Sequence, residues 1–476
     1  MKPKTKEFNK AAKTAINDPQ IQERLKSVYH KFHHARDIAA KATTNWDELR
    51  NKAKDIKTHT INNLDYYLQL LDQNVAKAGG NVFFAKDSNA AVRYVLDLAH
   101  SKEVKLAIKS KSMVSEELNL NHHLSKAGIE PVETDLGEYI IQLAEETPFH
   151  IIAPAIHKSK EQVSKLFEQK LGTPPSANPS DLAMEARNQL RDKFIKADMG
   201  ITGANFMVAE TGSIILVTNE GNGRMCTSMP KIHVAITGME KIIPSIEDLG
   251  IFLRLLIRSA TGQKLTSYVT AVTGPRQQND EDGPEEFHLI VVDNGRSRLL
   301  ADPELRESLN CLRCGACLNA CPVYRKVGGH AYGWVYPGPI GAVVSPIMTG
   351  LSDGKNLPYA SSLCGACREV CPVQINIPKM LLHLRKELVQ GNSYPKEQNV
   401  SIIEKLMMKM WLITTSRSTT FTLATRMLSY LQRLSTNKDW LTWMPPPLTR
   451  WTKYRHFPRI STKPFRSRWR DIMKNQ

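Results

Sequence analysis

Seven of the chain's eight cysteines lie in two short arms of the sequence. The first arm contains Cys311, Cys314, Cys317 and Cys321, and the second contains Cys364, Cys367 and Cys371. Both arms share the run Cys-Gly-Ala-Cys, which is followed after three residues by Cys-Pro. Soft thiolates at this spacing wrap a cubane iron–sulfur cluster, because the chain loops over the cluster between one ligand and the next. The spacing therefore predicts iron–sulfur electron transfer.

The two arms are predicted to interlock, since in such pairs the cysteine before proline ligates the cluster of the other arm. Cluster one then takes Cys311, Cys314, Cys317 and Cys371, and cluster two takes Cys321, Cys364 and Cys367. Zinc knuckles are the alternative, but seven interlocked cysteines divide poorly into closed sites of four ligands. Cys226 stands alone in the sequence and is predicted to be a buried free thiol.

The second arm lacks one cysteine, because Ser361 stands where a regular arm has its first thiolate. Three interpretations remain open. Cluster two is a [4Fe–4S] cluster with a fourth ligand from Ser361, Ser362, water or a partner, or it is a [3Fe–4S] cluster with three thiolates, or it is labile. We favour two [4Fe–4S] clusters.

Length and composition point to a folded chain of two or three domains. The chain has 476 residues, 41% of them hydrophobic, and too few cysteines for a disulfide scaffold. The first residues contain no apolar signal region, so a cytoplasmic location is expected. Residues 331–351 are free of charge but contain Pro337, Pro339 and Pro346, and this predicts a buried or cofactor-covering loop rather than a membrane span.

Positive charge is concentrated at the end of the chain. The net charge is +17, and residues 441–476 contain nine Lys or Arg against one acid, Asp471. A basic tail is attracted to an anionic membrane surface, an acidic protein or nucleic acid, or is simply solvated. Because no nucleic-acid-binding motif is present, peripheral contact with the inner face of the membrane is the interaction we expect, and nucleic acid is not expected.

The periodicity of apolar residues predicts four segments, namely an N-terminal helical segment (1–75), an α/β domain (76–295), a two-cluster domain with flanking helices (296–395) and a helical, basic extension (396–476). In the α/β domain, strands separated by helices favour a largely parallel sheet covered on both faces. Ser88 and Ser112 are predicted to cap helices. The run Glu220–Arg224 is predicted to be a turn between strands, and residues 395–435 are predicted to form two amphipathic helices before an irregular tail.

Other residues are weaker candidates for chemistry. Glu210 lies between two predicted strands and is interpreted either as a carboxylate base or as an acid in a turn. Lys109 and Lys111 follow a strand and either meet an anion or form a solvated pair. No flavin, nicotinamide or Walker A fingerprint is present, so the chain is not expected to perform hydride chemistry alone.

Several motifs resemble a known family. Residues 198–213 and 219–224 resemble the LUD domain, and residues 309–317, 332–340 and 361–367 resemble lactate utilisation protein B (LutB or YkgF). The spacer between Cys321 and Cys364 resembles the α-helical ferredoxin module found in the iron–sulfur subunits of succinate dehydrogenase and of anaerobic glycerol-3-phosphate dehydrogenase. The resemblance implies that Ser361 belongs to the family's own pattern.

The resemblance also implies a fold and a function. The LUD domain is similar to the NagB/RpiA/CoA-transferase-like fold. The chain is expected to be the electron-transfer component, rather than the complete enzyme, of a three-protein system that oxidises L-lactate to pyruvate and supports growth on lactate. Its expected partners are a protein with Cys-rich repeats, a second LUD protein and a quinone-linked acceptor. One alternative is a LUD-domain enzyme that binds a small organic acid or CoA ester near Glu210. Another is a redox-sensing nucleic-acid binder.

Overall fold

The computed structural model describes residues 3–391, 402–432, 436–437, 440–444, 446, 449–453 and 455–474. The chain divides into two compact units, Met1–Gln398 and Asn399–Gln476, and each is described by itself. The first unit therefore includes the N-terminal helices, the α/β domain and the cysteine arms.

The N-terminal helices are α1 (Phe8–Ile16), α2 (Pro19–Val28), α3 (His34–Lys41), α4 (Trp46–Asn62) and α5 (Leu64–Lys77). Helix α2 begins at Pro19 because the Asp18 carboxylate accepts hydrogen bonds from the free backbone N–H groups of Gln20 and Ile21. A short π-helical turn, Tyr29–His33, follows it. Leu25, Leu49 and Leu71 from these helices are buried in one hydrophobic core with residues of the cysteine arms.

Ten strands form two sheets in the α/β region. They are β1 (Asn81–Ala85), β2 (Leu106–Lys109), β3 (Glu130–Glu133), β4 (Met199–Thr202), β5 (Phe206–Val208), β6 (Ser213–Thr218), β7 (Ile232–Gly238), β8 (Ile242–Ile243), β9 (Tyr268–Val272) and β10 (Glu286–Val292). One sheet is parallel throughout, in the order β1-β10-β7-β4-β2-β3. The other is mixed, in the order β8-β5-β6-β9.

Apolar cores cover both faces of the parallel sheet, as predicted. Along β10, Ile290 and Val292 belong to one core cluster, whereas Leu289 and Val291 belong to another, because successive side chains of a strand point to opposite faces. The helices of this region are α6 (Ser88–Ser101), α7 (Met113–Glu117), α8 (Leu120–Lys126), α9 (Leu136–Leu143), α10 (Lys160–Leu171), α11 (Pro179–Lys196), α12 (Asn222–Ser228), α13 (Ile246–Thr261) and α14 (Arg296–Ala301).

Two local predictions in this region are wrong and one is confirmed. Ser112 caps α7 as predicted, through a hydrogen bond to its side chain from the N–H of Ser115. The cap of α6 is Asp87 rather than Ser88, because Asp87 has the extended backbone and accepts from the N–H of Ala90. The run Glu220–Arg224 is not only a turn, since α12 begins within it at Asn222.

Five helices support the cysteine arms, namely α15 (Ala316–Ala320), α16 (Tyr324–Val327), α17 (Gly338–Thr349), α18 (Ala366–Glu369) and α19 (Ile377–Gln390). The segment 331–351 is buried as predicted, but the prediction of a loop is wrong for residues 338–349, which form α17. Pro339 lies in its first turn, where a missing N–H costs nothing, and only Pro346 lies inside it.

The second unit contains the two predicted helices, α20 (Ile402–Ser416) and α21 (Ser418–Leu431). Residues 395–401 and 433–435, which belong to the same prediction, lie outside the described residues. The tail is more regular than predicted, with β11 (Thr436–Asn437), β12 (Trp440–Leu441), α22 (Thr449–Thr452), β13 (Phe457–Pro458) and α23 (Phe465–Lys474). Within the described residues, no helix has both the length and the apolar character that a membrane span requires.

Candidate metal centre

The two cysteine arms share an unusual backbone. Arg313 and Leu363, which directly precede Cys314 and Cys364, are both left-handed, with φ of 60° and 56°. Gly315 and Gly365, which follow those cysteines, are also left-handed, at 75° and 84°. Left-handed residues reverse the chain sharply, and non-glycine examples are uncommon. The repeat seen in the sequence is therefore a repeat of loop geometry that lets each arm curl around its cysteines.

Backbone N–H groups in these loops point at the sulfur atoms. The N–H of Arg313 donates to Cys311 Sγ at 3.4 Å, that of Tyr324 to Cys321 Sγ at 3.5 Å, and that of Ile375 to Cys371 Sγ at 3.4 Å. Such hydrogen bonds stabilise negative charge on sulfur, as thiolate ligands require. In the second arm the N–H of Leu363 donates to Ser361 Oγ at 3.1 Å. Ser361 thus takes the position in its arm that Cys311 takes in the first.

One small cavity brings together cysteines from both arms. Its lining includes Cys311, Cys314 and Cys317 of the first arm and Cys371 of the second. Ile340 of α17 also lines it, so this helix covers the cavity. Cys371 is close enough to Cys314 for its negative charge to raise the pKa of that thiol. These four are the residues that the sequence assigned to cluster one, and together they provide a cubane's usual donor set.

The other three cysteines of the arms, Cys321, Cys364 and Cys367, form a second group. Burial raises the pKa of Cys367 and of Cys321, and these thiols are also close enough to Cys364 for its negative charge to raise both pKa values further. Cys364 is exposed, whereas Cys321 and Cys367 are buried. The two groups are neighbours. Burial raises the pKa of Cys317 in the first group, and negative charge on Cys367 of the second group raises it further.

The thiols of the first group fit a metal cluster electrostatically. Burial raises the pKa of Cys314 to about 12 and that of Cys371 to about 11, so the thiolate forms need the positive charge that iron supplies. Among the described residues, no three His, Cys, Asp or Glu side chains are placed to bind a single metal ion. In a cubane each iron takes one protein ligand, so the ligands are spread around the cluster.

A buried ionic network joins the first arm to the α/β region. Arg296 donates to both oxygens of Glu117, at 3.0 and 2.9 Å, and to Glu240 Oε2 at 2.6 Å. Tyr336 donates to Glu117 Oε2 at 2.6 Å. Arg313 lies 3.6 Å from Glu240 Oε1 and stacks over the Tyr336 ring, 4.4 Å from its centroid. The arginines hold the pKa of Glu240 down at about 2, although its burial acts in the opposite direction.

A large cavity opens where the parallel strands end. Its volume is about 710 Å³, and Ser110, Gly203 and Thr237 line it at or just beyond the carboxyl ends of β2, β4 and β7. In open parallel sheets, ligands bind in this crevice. Arg313 and Cys314 also line the cavity, which therefore reaches the first cysteine arm.

Glu210 does not line this cavity. Its carboxylate is exposed and accepts a hydrogen bond of 3.0 Å from the N–H of Ile246 at the start of α13, and this geometry favours the interpretation as an acid in a turn. Cys226 is buried as predicted, 3.5 Å from the Thr134 hydroxyl.

The two lysines at the end of β2, Lys109 and Lys111, are not a solvated pair. Lys109 is fully buried, with its ammonium 2.5 Å from Glu133 Oε1. Of the two lysines, only Lys111 lines the large cavity, and its ammonium is 2.9 Å from the carboxylate of the buried Glu138.

Neither the ionic network around Arg296 nor the large cavity was predicted from the sequence. Their residues are far apart along the chain and share no motif.

Comparison with known protein families matches three regions of the chain. Residues 68–292 match the LUD domain, residues 307–375 match the 4Fe-4S dicluster domain, and residues 383–474 match the domain described as "Lactate utilisation protein B, C-terminal". The fold and the cysteine site thus define an iron–sulfur protein that combines a LUD domain with a 4Fe-4S dicluster domain.

Relatives similar over the whole chain identify the family. The "Lactate utilization protein B" of Bacillus cytotoxicus is 47% identical over 474 residues, which cover 100% of this chain and 99% of that protein. The protein of the same name from Geobacillus sp. (strain WCH70) is 46% identical over 468 residues, which cover 98% and 97%. The chain therefore belongs to the lactate utilisation protein B family. Among solved structures, a DUF162 family protein from Deinococcus radiodurans is 12% identical and covers 48% of this chain and 98% of its own, with a TM-score of 0.27.

Proposed function

We propose that this protein is the iron–sulfur electron-transfer component of a multi-protein system that oxidises L-lactate to pyruvate and allows growth on lactate. One observation carries the proposal: seven cysteines form two neighbouring groups, within a chain of the lactate utilisation protein B family. Two adjacent clusters suit this reaction, because lactate oxidation releases two electrons and each cluster changes its charge by one.

We assign the ligands as two interlocked sets. Cluster one is held by Cys311, Cys314, Cys317 and Cys371. Cluster two is held by Cys321, Cys364 and Cys367, with the Ser361 hydroxyl as its fourth ligand. Both are [4Fe–4S] clusters in this proposal, and a [3Fe–4S] cluster in the second site is the alternative. When bound, the clusters supply one-electron transfer, while the chain supplies thiolates, N–H groups and a covering helix.

The two sites differ in exposure, and this gives electron flow a direction. The cysteines of cluster one are buried or half-buried, whereas cluster two combines two buried cysteines with the exposed Cys364. Electron transfer between proteins needs a cluster near the surface, because the partner must approach it. We therefore propose that electrons enter at cluster one and leave through cluster two.

The proposed partners are a protein with Cys-rich repeats and a second LUD protein, with a quinone-linked final acceptor. We propose a cytoplasmic location with peripheral contact at the inner face of the membrane. The second unit supports such contact, since Ile402, Trp411 and Ile413 of α20 are 85, 62 and 64% exposed beside a basic tail. The parallel sheet and the helices around the arms support assignment to the NagB/RpiA/CoA-transferase-like and α-helical ferredoxin folds.

The experiment combines the purified full-length chain, with clusters intact, with its two proposed partners under anaerobic conditions. Adding L-lactate should bleach the visible absorption of the clusters as they are reduced. D-lactate serves as the control substrate. Clusters that form but do not respond to L-lactate in the complete mixture would overturn the proposed role.

A further inference from the structure

Helix α23 carries an apolar stripe that is open to solvent. The stripe consists of Phe465, Trp469, Ile472 and Met473, which are 74, 51, 52 and 54% exposed, and no residue of this helix is buried. Because successive residues of a helix lie about 100° apart, these four share one side of α23, in a band about 100° wide. The rings of Phe465 and Trp469 stack along the band, with their centroids 5.9 Å apart.

The rest of α23 is basic. Four of its ten residues are Arg or Lys, and its single acid is Asp471. The helical period places Arg466 and Arg468 on the two flanks of the apolar stripe, and Arg470 and Lys474 farther round the helix. Cations therefore border the stripe on both sides, an arrangement typical of helices that lie on a membrane surface.

Two contacts join the polar side of α23 to the segment before it. Asp471 forms an ion pair with Lys463, and Arg468 donates a hydrogen bond of 2.9 Å to Ser461 Oγ. Both contacts leave the apolar stripe exposed. The ion pair also offsets the one negative charge of the helix, so the surface around the stripe is positive.

This pattern matches an anionic lipid surface better than it matches nucleic acid. At a bilayer the apolar stripe enters the boundary between headgroups and acyl chains, where Trp and Phe rings are favoured. The flanking arginines keep their guanidinium groups at the level of the lipid phosphates while their stems cover apolar surface. Nucleic acid would attract the same cations through its phosphates, but it would leave the stripe in water.

Helix α20 does not show this separation of apolar and basic residues. Its exposed apolar residues include Ile402, Ile403 and Met408, which lie on three different sides of the helix, about 100° or more apart. They therefore do not define one face toward a bilayer, whereas the stripe of α23 does.

We propose that α23 lies in the plane of an anionic membrane surface, with its apolar stripe in the acyl boundary and its Arg and Lys side chains at the lipid phosphates. The proposal rests on the peripheral membrane contact of the proposed function and names the element that makes it. A quinone-linked acceptor resides in the bilayer, so a chain held at that surface would meet its acceptor there.

Co-flotation of the full-length protein, with clusters intact, with lipid vesicles tests the proposal. We expect binding to vesicles of equal parts phosphatidylglycerol and phosphatidylcholine, and little binding to vesicles of phosphatidylcholine alone. Binding to the mixed vesicles should weaken as salt is added, because salt screens the attraction between the arginines and the lipid phosphates.

Two variants and two matched controls locate the contact. Ile472→Glu places a charge in the apolar stripe, and Arg466→Glu reverses a flanking charge; each should weaken binding to the mixed vesicles by about tenfold or more. Leu265→Glu and Arg93→Glu make the same kinds of change at exposed positions in the first unit, and each should alter binding by less than about twofold. Iron content and the melting temperature, measured for each variant, separate lost binding from lost folding.

Several results would overturn the proposal. They are absence of binding to the mixed vesicles, equal binding to both kinds of vesicle, and equal losses in Ile472→Glu and Leu265→Glu. Binding to duplex DNA that depends on Arg466, without binding to vesicles, would assign the helix to nucleic acid instead. If vesicles are not bound but Ile472→Glu lowers bleaching by L-lactate in the complete mixture, the stripe contacts a protein partner.

Failure of this proposal and failure of the proposed electron-transfer role are distinguishable, because bleaching by L-lactate is measured without vesicles. Bleaching without vesicle binding overturns only the membrane contact of α23. Vesicle binding without bleaching overturns only the role in lactate oxidation.

Discussion

At the scale of single residues, Ser361 is the position that distinguishes the second arm from the first. The N–H of Leu363 donates to its hydroxyl just as the N–H of Arg313 donates to Cys311 Sγ, and this match supports our proposal that the serine is a cluster ligand. Oxygen is a harder ligand than sulfur and binds an iron–sulfur cluster less strongly. The iron bound by Ser361 should therefore be the first to dissociate. Cluster two should then lose iron more easily than cluster one.

Replacing Ser361 by Ala tests that assignment. The variant should lose one iron, from about eight to about seven per chain, because the proposed oxygen ligand is gone. EPR of the oxidised protein should then show a [3Fe–4S] signal that the unaltered protein lacks. Ser362→Ala removes the neighbouring candidate ligand and should keep the full iron content. Loss of iron in Ser362→Ala instead would reassign the ligand, and a [3Fe–4S] signal in the unaltered protein would favour the three-iron alternative.

At the scale of elements, the local sequence predicted whether a segment is a helix or a strand better than it predicted where each element begins and ends. Strand-forming runs separated by helical periodicity predicted the parallel sheet. The start of α6 was less certain, because Asp87 and Ser88 are both good capping residues and only the extended backbone of Asp87 selects between them. Helix α17 was missed because its three prolines were expected to break a helix, whereas Pro337 precedes it, Pro339 lies in its first turn and only Pro346 lies inside it. Ten of its residues are buried, so no polar face showed a helical period that could correct this prediction. Burial of Lys109 depends on Glu133 in the adjacent strand, a contact that sequence spacing does not predict.

The close packing of α17 gives a prediction at this scale. A Cβ on Gly341 would lie 1.7 Å from the carbonyl oxygen of Tyr336, which is backbone and cannot move aside cheaply. Gly341→Ala should lower the free energy of unfolding by about 1–3 kcal/mol and reduce cluster content, since α17 covers cluster one. Denaturant unfolding and iron analysis would measure both effects.

Gly250→Ala is the matched control, because a Cβ there meets nothing within 4 Å on the exposed side of α13. It should leave stability unchanged or raise it by up to about 1 kcal/mol, the difference in helix propensity. If both alanine variants behave alike, close packing of α17 does not limit stability.

At the scale of the whole molecule, the predicted segments are less separate than the sequence suggested. The N-terminal helices, the LUD domain and the cysteine arms fold into one unit, and one apolar core runs from Phe8 to Leu388. Arg24, Lys111 and Arg313 line one cavity although they are far apart in sequence. Sequence patterns report local structure, so the grouping of Cys371 with the cysteines of the first arm was predictable from their spacing, and the large cavity was not.

The ionic network is a buried polar link between the LUD domain and the cysteine arms, and it gives a prediction for the molecule as a whole. Glu117 lies on α7, Arg296 on α14 and Tyr336 just before α17, and all three side chains are buried. Glu117→Gln leaves the Arg296 charge without its bidentate partner and should destabilise the protein by about 3–5 kcal/mol. The exposed pair of Lys193 and Glu130 is the control, and Glu130→Gln should cost less than about 1 kcal/mol.

A double-mutant cycle then asks whether the link is cooperative. Tyr336→Phe removes only the hydroxyl that donates to Glu117. If the LUD domain and the arms are joined through this network, the losses in Glu117→Gln and Tyr336→Phe should not add, and the coupling should be about 0.5–3 kcal/mol. Denaturant unfolding followed both by cluster absorbance and by circular dichroism would measure it. Additive losses, with the cluster absorbance disappearing well before the helical circular-dichroism signal, would contradict this prediction. They would mean that the LUD domain and the arms unfold independently, and that the network does not add to the shared apolar core in placing cluster one beside the cavity.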